Sequence, residues 1–162
     1  MDIQECNEQF AARFGRPADA AFRAPGRVNL IGEHTDYNDG YVLPVAIERE
    51  TLSLVAPRND KIVRVASNQQ EESAEFRLDA IAPGTPPWAN YCRGVAAGIV
   101  ERGLAPGGCD VLLASSVPLG GGLSSSASLE VATALAILST AEKRIGGMEL
   151  ALLCQAAEHE YA

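Results

Sequence analysis

Residues 116–130, Ser-Val-Pro-Leu-Gly-Gly-Gly-Leu-Ser-Ser-Ser-Ala-Ser-Leu-Glu, lie between a short apolar run and a long apolar segment. Three glycines, Gly120 to Gly122, allow positive φ angles and a close approach of the backbone to a ligand. The serines that follow begin a helix, and the free amides and positive dipole end of a helix start bind anions. The pattern is neither a Walker loop nor a Rossmann motif. It predicts a phosphate-binding loop or, alternatively, a flexible loop with a serine cap.

A second cluster of polar side chains lies in residues 23–38, Arg-Ala-Pro-Gly-Arg-Val-Asn-Leu-Ile-Gly-Glu-His-Thr-Asp-Tyr-Asn. Glu33, His34 and Asp36 stand within four residues of one another. They can hold several sugar hydroxyls, because carboxylates accept hydrogen bonds and imidazole accepts or donates them. Arg27 is a permanent cation that suits a developing negative charge. On residue type alone, a polar surface loop is the alternative.

Hydrophobic periodicity around these two motifs predicts a mixture of helices and short strands. Helices are expected at 2–14, 89–102, 124–141 and 148–162, with Gly15 and Gly103 ending the first two. Strands are expected at 21–24, 41–47, 51–56, 62–66, 74–78 and 109–114, with Pro44 at an edge or a bulge. Because strands come first and a strand–loop–helix unit follows, the predicted fold class is α+β.

Composition and charge restrict the function classes. The 162 residues are 47% hydrophobic and 21% charged, which is typical of a globular domain with one core. The formal net charge of −8 argues against nucleic acid binding, and no apolar run is long enough for a membrane span. The first residues lack the features of a signal peptide, and Cys6, Cys92, Cys109 and Cys154 form no paired motif. We therefore expect a cytoplasmic protein with neither a nucleic acid nor a membrane partner.

The glycine-rich loop resembles the second motif of the GHMP small-molecule kinases, which include galactokinase, homoserine kinase and mevalonate kinase. The likeness runs from Pro118 to Ala127, and Gly120 to Ser126 match without a gap. It implies that the loop wraps the phosphates of ATP and identifies residues 118–128 as the ATP loop. The implied nucleotide-binding residues are Gly120, Gly121, Gly122, Leu123, Ser124, Ser125 and Ser126.

Residues 26–37 resemble the galactokinase signature at every position. The likeness continues through 38–44, 56–58 and 88–95, in the style of the bacterial members, and so covers nearly the whole chain. It implies that residues 1–162 form the N-terminal domain of a GHMP kinase, a fold similar to domain 2 of ribosomal protein S5. The implied reaction, a step of galactose metabolism, transfers the γ-phosphoryl group of ATP to the 1-hydroxyl of galactose.

The same resemblance implies roles for single residues. Arg27 would stabilise the transition state and the ionised sugar hydroxyl. The galactose pocket would be lined by Glu33, His34, Thr35 and Asp36. Ser126 would ligate Mg²⁺, with Glu158 on the last helix as the second ligand, so ATP and Mg²⁺ are the expected cofactors. Trp88 would lie near the adenine or, alternatively, in the core.

Two parts of the family pattern are expected beyond Ala162. The catalytic aspartate follows the last helix in a Met-Asp-Gln type of motif, which these residues lack, and the C-terminal domain comes after it. The apolar pattern of the last helix is still running at Ala162, which indicates that the native protein continues. We therefore expect the 162-residue chain alone to be inactive or nearly so, and the full-length enzyme to be a monomer.

Three alternatives stay open from the sequence. One is another sugar kinase of the family, acting on N-acetylgalactosamine, galacturonate or arabinose. The second is a non-catalytic galactose sensor, although the intact run from Ser124 to Ser128 favours an enzyme. The third is a folded unit that associates with itself through an exposed part of its core.

Overall fold

The computed structural model describes residues 1–32, 38, 40–141 and 144–161, in which four α-helices pack on one five-stranded sheet. The mixture of elements confirms the predicted α+β class. A short 3-10 turn, Pro87–Ala89, precedes the second helix. In chain order the elements are α1 (Ile3–Phe14), β1 (Ala20–Ile31), β2 (Leu43–Pro57), β3 (Ile62–Ser67), β4 (Ala74–Arg77), α2 (Asn90–Glu101), β5 (Cys109–Ser115), α3 (Ser125–Leu138) and α4 (Gly147–Tyr161).

The strands lie in the order β1-β2-β5-β3-β4, and the one parallel pair among them is β3 with β5. β2 pairs with β5 from Thr51 to Pro57. Its first half, from Leu43 to Glu50, extends past β5 and pairs with residues 25–31 of β1. We call this two-stranded extension the β1–β2 arm.

Both faces of the sheet are covered, because successive residues of a strand point to opposite sides. On one face, Leu52 and Leu54 of β2 pack with Phe10 of α1. On the other face, Val55 and Leu113 join the larger core formed with α2, α3 and α4. Burial on both faces explains why the central strands read as nearly continuous apolar runs.

A network of ion pairs around a buried aspartate lies at one end of the sheet. The Asp110 side chain on β5 is 1% exposed and accepts hydrogen bonds from Arg16 (3.0 Å), Arg58 (3.2 Å) and Arg64 (2.6 Å). Burial alone raises the pKa of the Asp110 carboxyl, but the three guanidinium groups lower it more, so that it ends below its ordinary value. The network joins the end of α1 to three strands.

The helix ends follow local capping rules. The Asp2 carboxylate accepts a hydrogen bond from the Gln4 amide (2.9 Å) at the start of α1. Gly15, with a φ of +77°, ends that helix by donating to the Ala11 carbonyl. Gly103, with a φ of +67°, follows α2 and donates to the Val100 carbonyl. The predicted helix ends at Gly15 and Gly103 are thus confirmed.

The first two strands are longer than predicted. The strand expected at 21–24 continues to Ile31, and the strands expected at 41–47 and 51–56 form one element, β2. The pairing of β1 with β2 shifts register next to Gly26 and next to Asn29, so the strand continues past residues that interrupt the apolar pattern. Pro44 pairs with Asn29 beside the second shift, which agrees with the predicted edge or bulge.

The predicted helix 124–141 is three residues too long at its end. α3 stops at Leu138 because polar side chains there bond to the last carbonyls of their own helix. Ser139 Oγ donates to the Ala136 carbonyl (2.6 Å), and Thr140 Oγ1 donates to the Ile137 carbonyl (2.7 Å). Such local bonds compete with continuation of the helix.

Large apolar side chains are exposed on the β1–β2 arm, namely Leu30, Ile31, Leu43 and Val45. Self-association, the third alternative left open by the sequence, would depend on a surface of this kind.

In the part of the chain that the structure describes, each helix is either too short or too polar to cross a lipid bilayer.

Candidate active site

The glycine-rich loop connects β5 to α3 and is anchored at both ends. At its start, the Ser116 amide donates to the Glu50 carbonyl (2.9 Å), and the Glu50 amide donates to Ser116 Oγ (3.0 Å). At its end, the Arg27 amide donates to the Leu123 carbonyl (3.0 Å). Glu50 and Arg27 both belong to the β1–β2 arm, so the pairing of these strands fixes where the loop begins and ends.

Between its anchors the loop uses left-handed backbone conformations. The φ angles are +70° at Gly120, +67° at Gly122 and +59° at Ser124. Glycine adopts such angles at little cost, whereas Ser124 is strained, and strained residues concentrate at ligand sites. Leu119 at the tip is 60% exposed. The loop therefore offers backbone groups to a ligand rather than a packed apolar surface.

α3 begins directly after the loop, and the Ser124 side chain does not cap it. Its first amides and positive dipole end lie beside the glycines, as an anion site requires. The helix is held against the sheet by the buried hydroxyl of Ser128. That hydroxyl donates to the Ala24 carbonyl (2.8 Å) and shares a hydrogen bond with Thr51 Oγ1 (2.8 Å). The helix start is thus fixed relative to β1.

Arg27 follows a position where the strand and the loop nearly touch. A Cβ atom on Gly26 would lie 2.9 Å from the Leu123 carbonyl oxygen and 3.1 Å from Ile47 Cδ1, so only glycine fits there without a shift. A bulge beside Gly26 turns the strand locally, and bulges commonly redirect side chains next to active sites. Arg27 itself is partly buried. The structure therefore brings this predicted catalytic cation next to the predicted phosphate loop.

The four predicted sugar-binding residues lie outside the described residues, and their roles stay predictions. β1 ends at Ile31, shortly before this segment, so the strand that carries Arg27 leads directly into it. The residues concerned are Glu33, His34, Thr35 and Asp36.

The two predicted cation ligands lie on different helices. Ser126 is in the first turn of α3, and Glu158 is on the flank of α4; both are partly buried. Glu130 lies one turn after Ser126 and is within electrostatic range of Glu158. Burial, and then the charge of Glu158, raises the pKa of the Glu130 carboxyl to about 8.

These donors fit a hard cation, because hydroxyl and carboxylate oxygens are the ligands that Mg²⁺ prefers. The buried Oε1 of Glu130 makes no hydrogen bond within the described residues. The same residues contain no group of three or more His, Cys, Asp or Glu side chains arranged as a metal site. A kinase site needs only one or two carboxylates, since the phosphates of the nucleotide supply further ligands.

Trp88 lies in the 3-10 turn before α2, where it is partly buried against the larger core. Its indole N–H donates to the Glu72 carbonyl (3.1 Å). The structure thus places Trp88 in the second of its two predicted settings, and a contact with adenine stays a prediction.

Two family models match the chain. Residues 8–57 match the galactokinase galactose-binding signature, and residues 90–162 match the N-terminal domain of the GHMP kinases. A galactokinase of Chloroflexus aggregans is 50% identical over 153 residues, which are 94% of this chain. The chain belongs to the GHMP kinase family. It spans only 39% of the length of that relative.

Solved structures of GHMP kinases share the fold. Lactococcus lactis galactokinase complexed with galactose matches with a TM-score of 0.89 and 34% identity, over 98% of this chain and 42% of that one. A mevalonate kinase matches with a TM-score of 0.76 over 88% of this chain and 47% of its own. Its 21% identity supports similarity of fold alone. The predicted galactokinase-like N-terminal GHMP domain is therefore confirmed as a fold.

Three residues of this candidate site were missed in the sequence. Gly26 and Ser128 act through contacts with distant segments, and neither residue type marks such contacts. Glu130 did carry a signal, because it is the one charged residue between Ser124 and Leu138 and stands four residues after Ser126. In a helix, that spacing puts both side chains on the same face.

Proposed function

We propose that the full-length protein is a galactokinase that transfers the γ-phosphoryl group of ATP to the 1-hydroxyl of galactose, with Mg²⁺ as cofactor. The observation that carries this proposal is the hydrogen bond between the Arg27 amide and the Leu123 carbonyl (3.0 Å). It joins the start of the galactokinase signature to the glycine-rich loop. In this proposal the sugar held by the signature accepts the phosphoryl group held by the loop. The likeness to a galactokinase that binds galactose supports the choice of sugar.

In this proposal the chain positions the reactants and stabilises charge, which is how most phosphoryl transfer is catalysed. The loop amides and the start of α3 bind the phosphates. The Arg27 guanidinium stabilises negative charge that develops between the sugar oxygen and the phosphoryl group. Ser126 and Glu158 hold Mg²⁺, which would neutralise phosphate charge when bound. The residue that accepts the proton of the sugar hydroxyl is the aspartate expected beyond Ala162.

A test of substrate choice uses the full-length protein and a panel of galactose, N-acetylgalactosamine, galacturonate and arabinose. We expect galactose to have the highest kcat/KM. A preference for another sugar of the panel would identify a different GHMP sugar kinase. Binding of galactose without any turnover would favour the sensor.

A second test addresses the sugar pocket. Asp36→Ala in the full-length protein removes a hydrogen-bond acceptor and leaves a sugar hydroxyl unpaired, which costs about 1–3 kcal/mol. We expect the KM for galactose to rise strongly while the KM for ATP changes little. A wild-type KM for galactose would exclude Asp36 from the pocket.

The remaining parts of the proposal concern setting and partners. We propose a cytoplasmic monomer whose partners are galactose and ATP, with no nucleic acid or membrane partner. The four buried free thiols, Cys6, Cys92, Cys109 and Cys154, suit a reducing compartment.

A further inference from the structure

Glu130 is a buried carboxylate in an otherwise uncharged helix. It is 1% exposed, and its Oε1 has no hydrogen-bond partner among the residues that the structure describes. A buried polar atom without a partner is rare in folded proteins and calls for an explanation such as a bound ion or water. A leucine or glutamine would fill a purely structural position without the cost of burying a carboxylate.

The groups around Glu130 come from α2 and α4. Tyr91 and Cys92 on α2, and Cys154 and Glu158 on α4, interact electrostatically with it. Each is acidic or neutral, so none of them compensates its charge.

The arginines nearest to this region are engaged elsewhere. Arg93 donates to the Thr85 and Pro86 carbonyls and to Asn90 Oδ1, and Arg102 donates to the Gly98 carbonyl (2.9 Å). Within the described part of the chain, Glu130 and Glu158 thus form an acidic pair without a cation to balance it.

Glu130 lies on the helix that begins at the phosphate loop, so the acidic pair of Glu130 and Glu158 is close to the start of that helix. Ser126 and Glu130 are four residues apart on α3, so they share one helix face, with Ser126 in the first turn and Glu130 one turn deeper. α4 packs on α3, and its Glu158 is within electrostatic range of Glu130. A cation held by Ser126 and Glu158 would therefore be near Glu130.

We propose that Glu130 is a positioning residue of the Mg²⁺ site, where its free oxygen accepts a hydrogen bond from a water molecule bound to the cation. This inference rests on the proposed kinase function. Mg²⁺ usually keeps several of its waters in such sites, and carboxylates that hold those waters tune the affinity for the metal. A bound cation favours the ionised form of Glu130, so the side chain then adds negative charge and an acceptor near the cation without being a direct ligand.

The experiment measures Mn²⁺ binding by electron paramagnetic resonance, using the full-length protein with a non-hydrolysable ATP analogue. Glu130→Gln keeps the shape of the side chain and removes its charge. We expect it to weaken Mn²⁺ binding about 10- to 100-fold, the usual effect of losing a group behind a metal ligand. Affinity for the metal-free analogue should be unchanged. Thr133→Val is the matched control, because Thr133 is buried on the same helix face, bonds to Leu129 and Cys92, and carries no charge.

The outcomes separate this inference from the proposed function. A folded Glu130→Gln protein with wild-type Mn²⁺ affinity overturns the role of Glu130 and leaves the kinase proposal intact. If the wild-type protein has no nucleotide-dependent Mn²⁺ site, both proposals fail. If Glu130→Gln does not fold, Glu130→Asp replaces it, since it keeps the charge and retracts the carboxylate by one methylene. A loss of Mn²⁺ affinity in Glu130→Asp relative to the wild type supports the role, and an unchanged affinity overturns it.

Discussion

The backbone amide of Arg27 donates a hydrogen bond to the Leu123 carbonyl (3.0 Å), and this bond is the direct link between the first strand and the phosphate loop. The residue before it, Gly26, is glycine for a steric reason, because the same carbonyl oxygen occupies the space of a Cβ atom. The position of the end of the loop therefore depends on one amide and one missing side chain.

Gly26→Ala should displace the loop. The new methyl group would lie 2.9 Å from the Leu123 oxygen, so strand and loop must separate. We expect stability to fall by about 1–3 kcal/mol. In the full-length enzyme, kcat/KM for ATP should fall roughly 10- to 100-fold. Steady-state kinetics and denaturant unfolding measure both effects. Gly107→Ala is the control, since within the described residues the nearest atoms to its Cβ would be 3.9 Å away. Equal kinetics in the two variants would contradict the steric argument.

Arg27→Lys should lower kcat more than it changes the KM for galactose. An ammonium group keeps the charge but lacks the planar fork that reaches two oxygens at once. We expect kcat to fall roughly 10- to 1,000-fold, the range for removing one group that stabilises transition-state charge. Arg23→Lys is the control, because Arg23 is on the same strand and its half-exposed side chain pairs with Glu50. Wild-type kcat in Arg27→Lys would exclude the transition-state role.

Ser128→Ala should loosen α3 from the sheet. The substitution leaves the buried Ala24 carbonyl without this donor and removes a partner of Thr51, which keeps its bond to Ser115 (2.9 Å). We expect a loss of about 1–3 kcal/mol in the free energy of unfolding. Trp88, the single tryptophan of the 162-residue chain, reports unfolding by its fluorescence. Ser139→Ala, which removes the hydroxyl of an exposed residue at the end of the same helix, should cost under about 0.5 kcal/mol. Equal losses of stability in the two variants would show that the buried Ser128 hydroxyl does not hold α3 against the sheet.

Asp110→Asn should remove a pH-dependent part of the stability. The pKa of Asp110 in the folded chain lies below the ordinary value of 3.8, so its ion pairs stabilise the fold above that pH and are lost as the pH falls. We expect a loss of roughly 1–3 kcal/mol at neutral pH, less than for a fully buried pair, because the three arginines remain partly in water. Denaturant unfolding from pH 7 to pH 3 should show the difference between wild type and variant shrinking below about pH 4.

The matched control for that experiment is Asp79→Asn. Asp79 forms an exposed ion pair with Arg77 (2.7 Å), so water and salt screen its contribution. A constant difference between wild type and Asp110→Asn over the whole pH range would show that the loss comes from packing rather than from charge.

Local rules predicted much of this fold. Capping by Gly15 and Gly103, and the apolar pattern of α4, depend on residues close together in the sequence, and the structure agrees with them. The lengths of β1 and β2 were not predictable in the same way. Their outer halves lack an alternating apolar pattern and are held by pairing with each other across bulges, which depends on distant residues.

In the candidate site, too, local features could be predicted from the sequence and contacts between distant residues could not. The loop could be recognised because glycines and serines are required by its own backbone conformation. The bonds that position it join distant residues. Ser128 and Ala24, for example, are 104 positions apart, and nothing in either local sequence indicates their contact. Glu130 could be predicted only in part, since its charge is visible in the sequence but its burial is not.

Both anchors of the glycine-rich loop are made on the arm by backbone groups, the Arg27 amide and the amide and carbonyl of Glu50. Every amino acid except proline supplies such groups, so most substitutions on the arm leave the anchors in place. Side chains along the arm, and in the segment after Ile31, can therefore be replaced to suit another sugar substrate. The glycine-rich loop, which would hold the nucleotide, keeps its position. A library randomised over residues 28–45, with Gly26 and Arg27 left unchanged, is the natural starting point for evolving this domain toward another sugar.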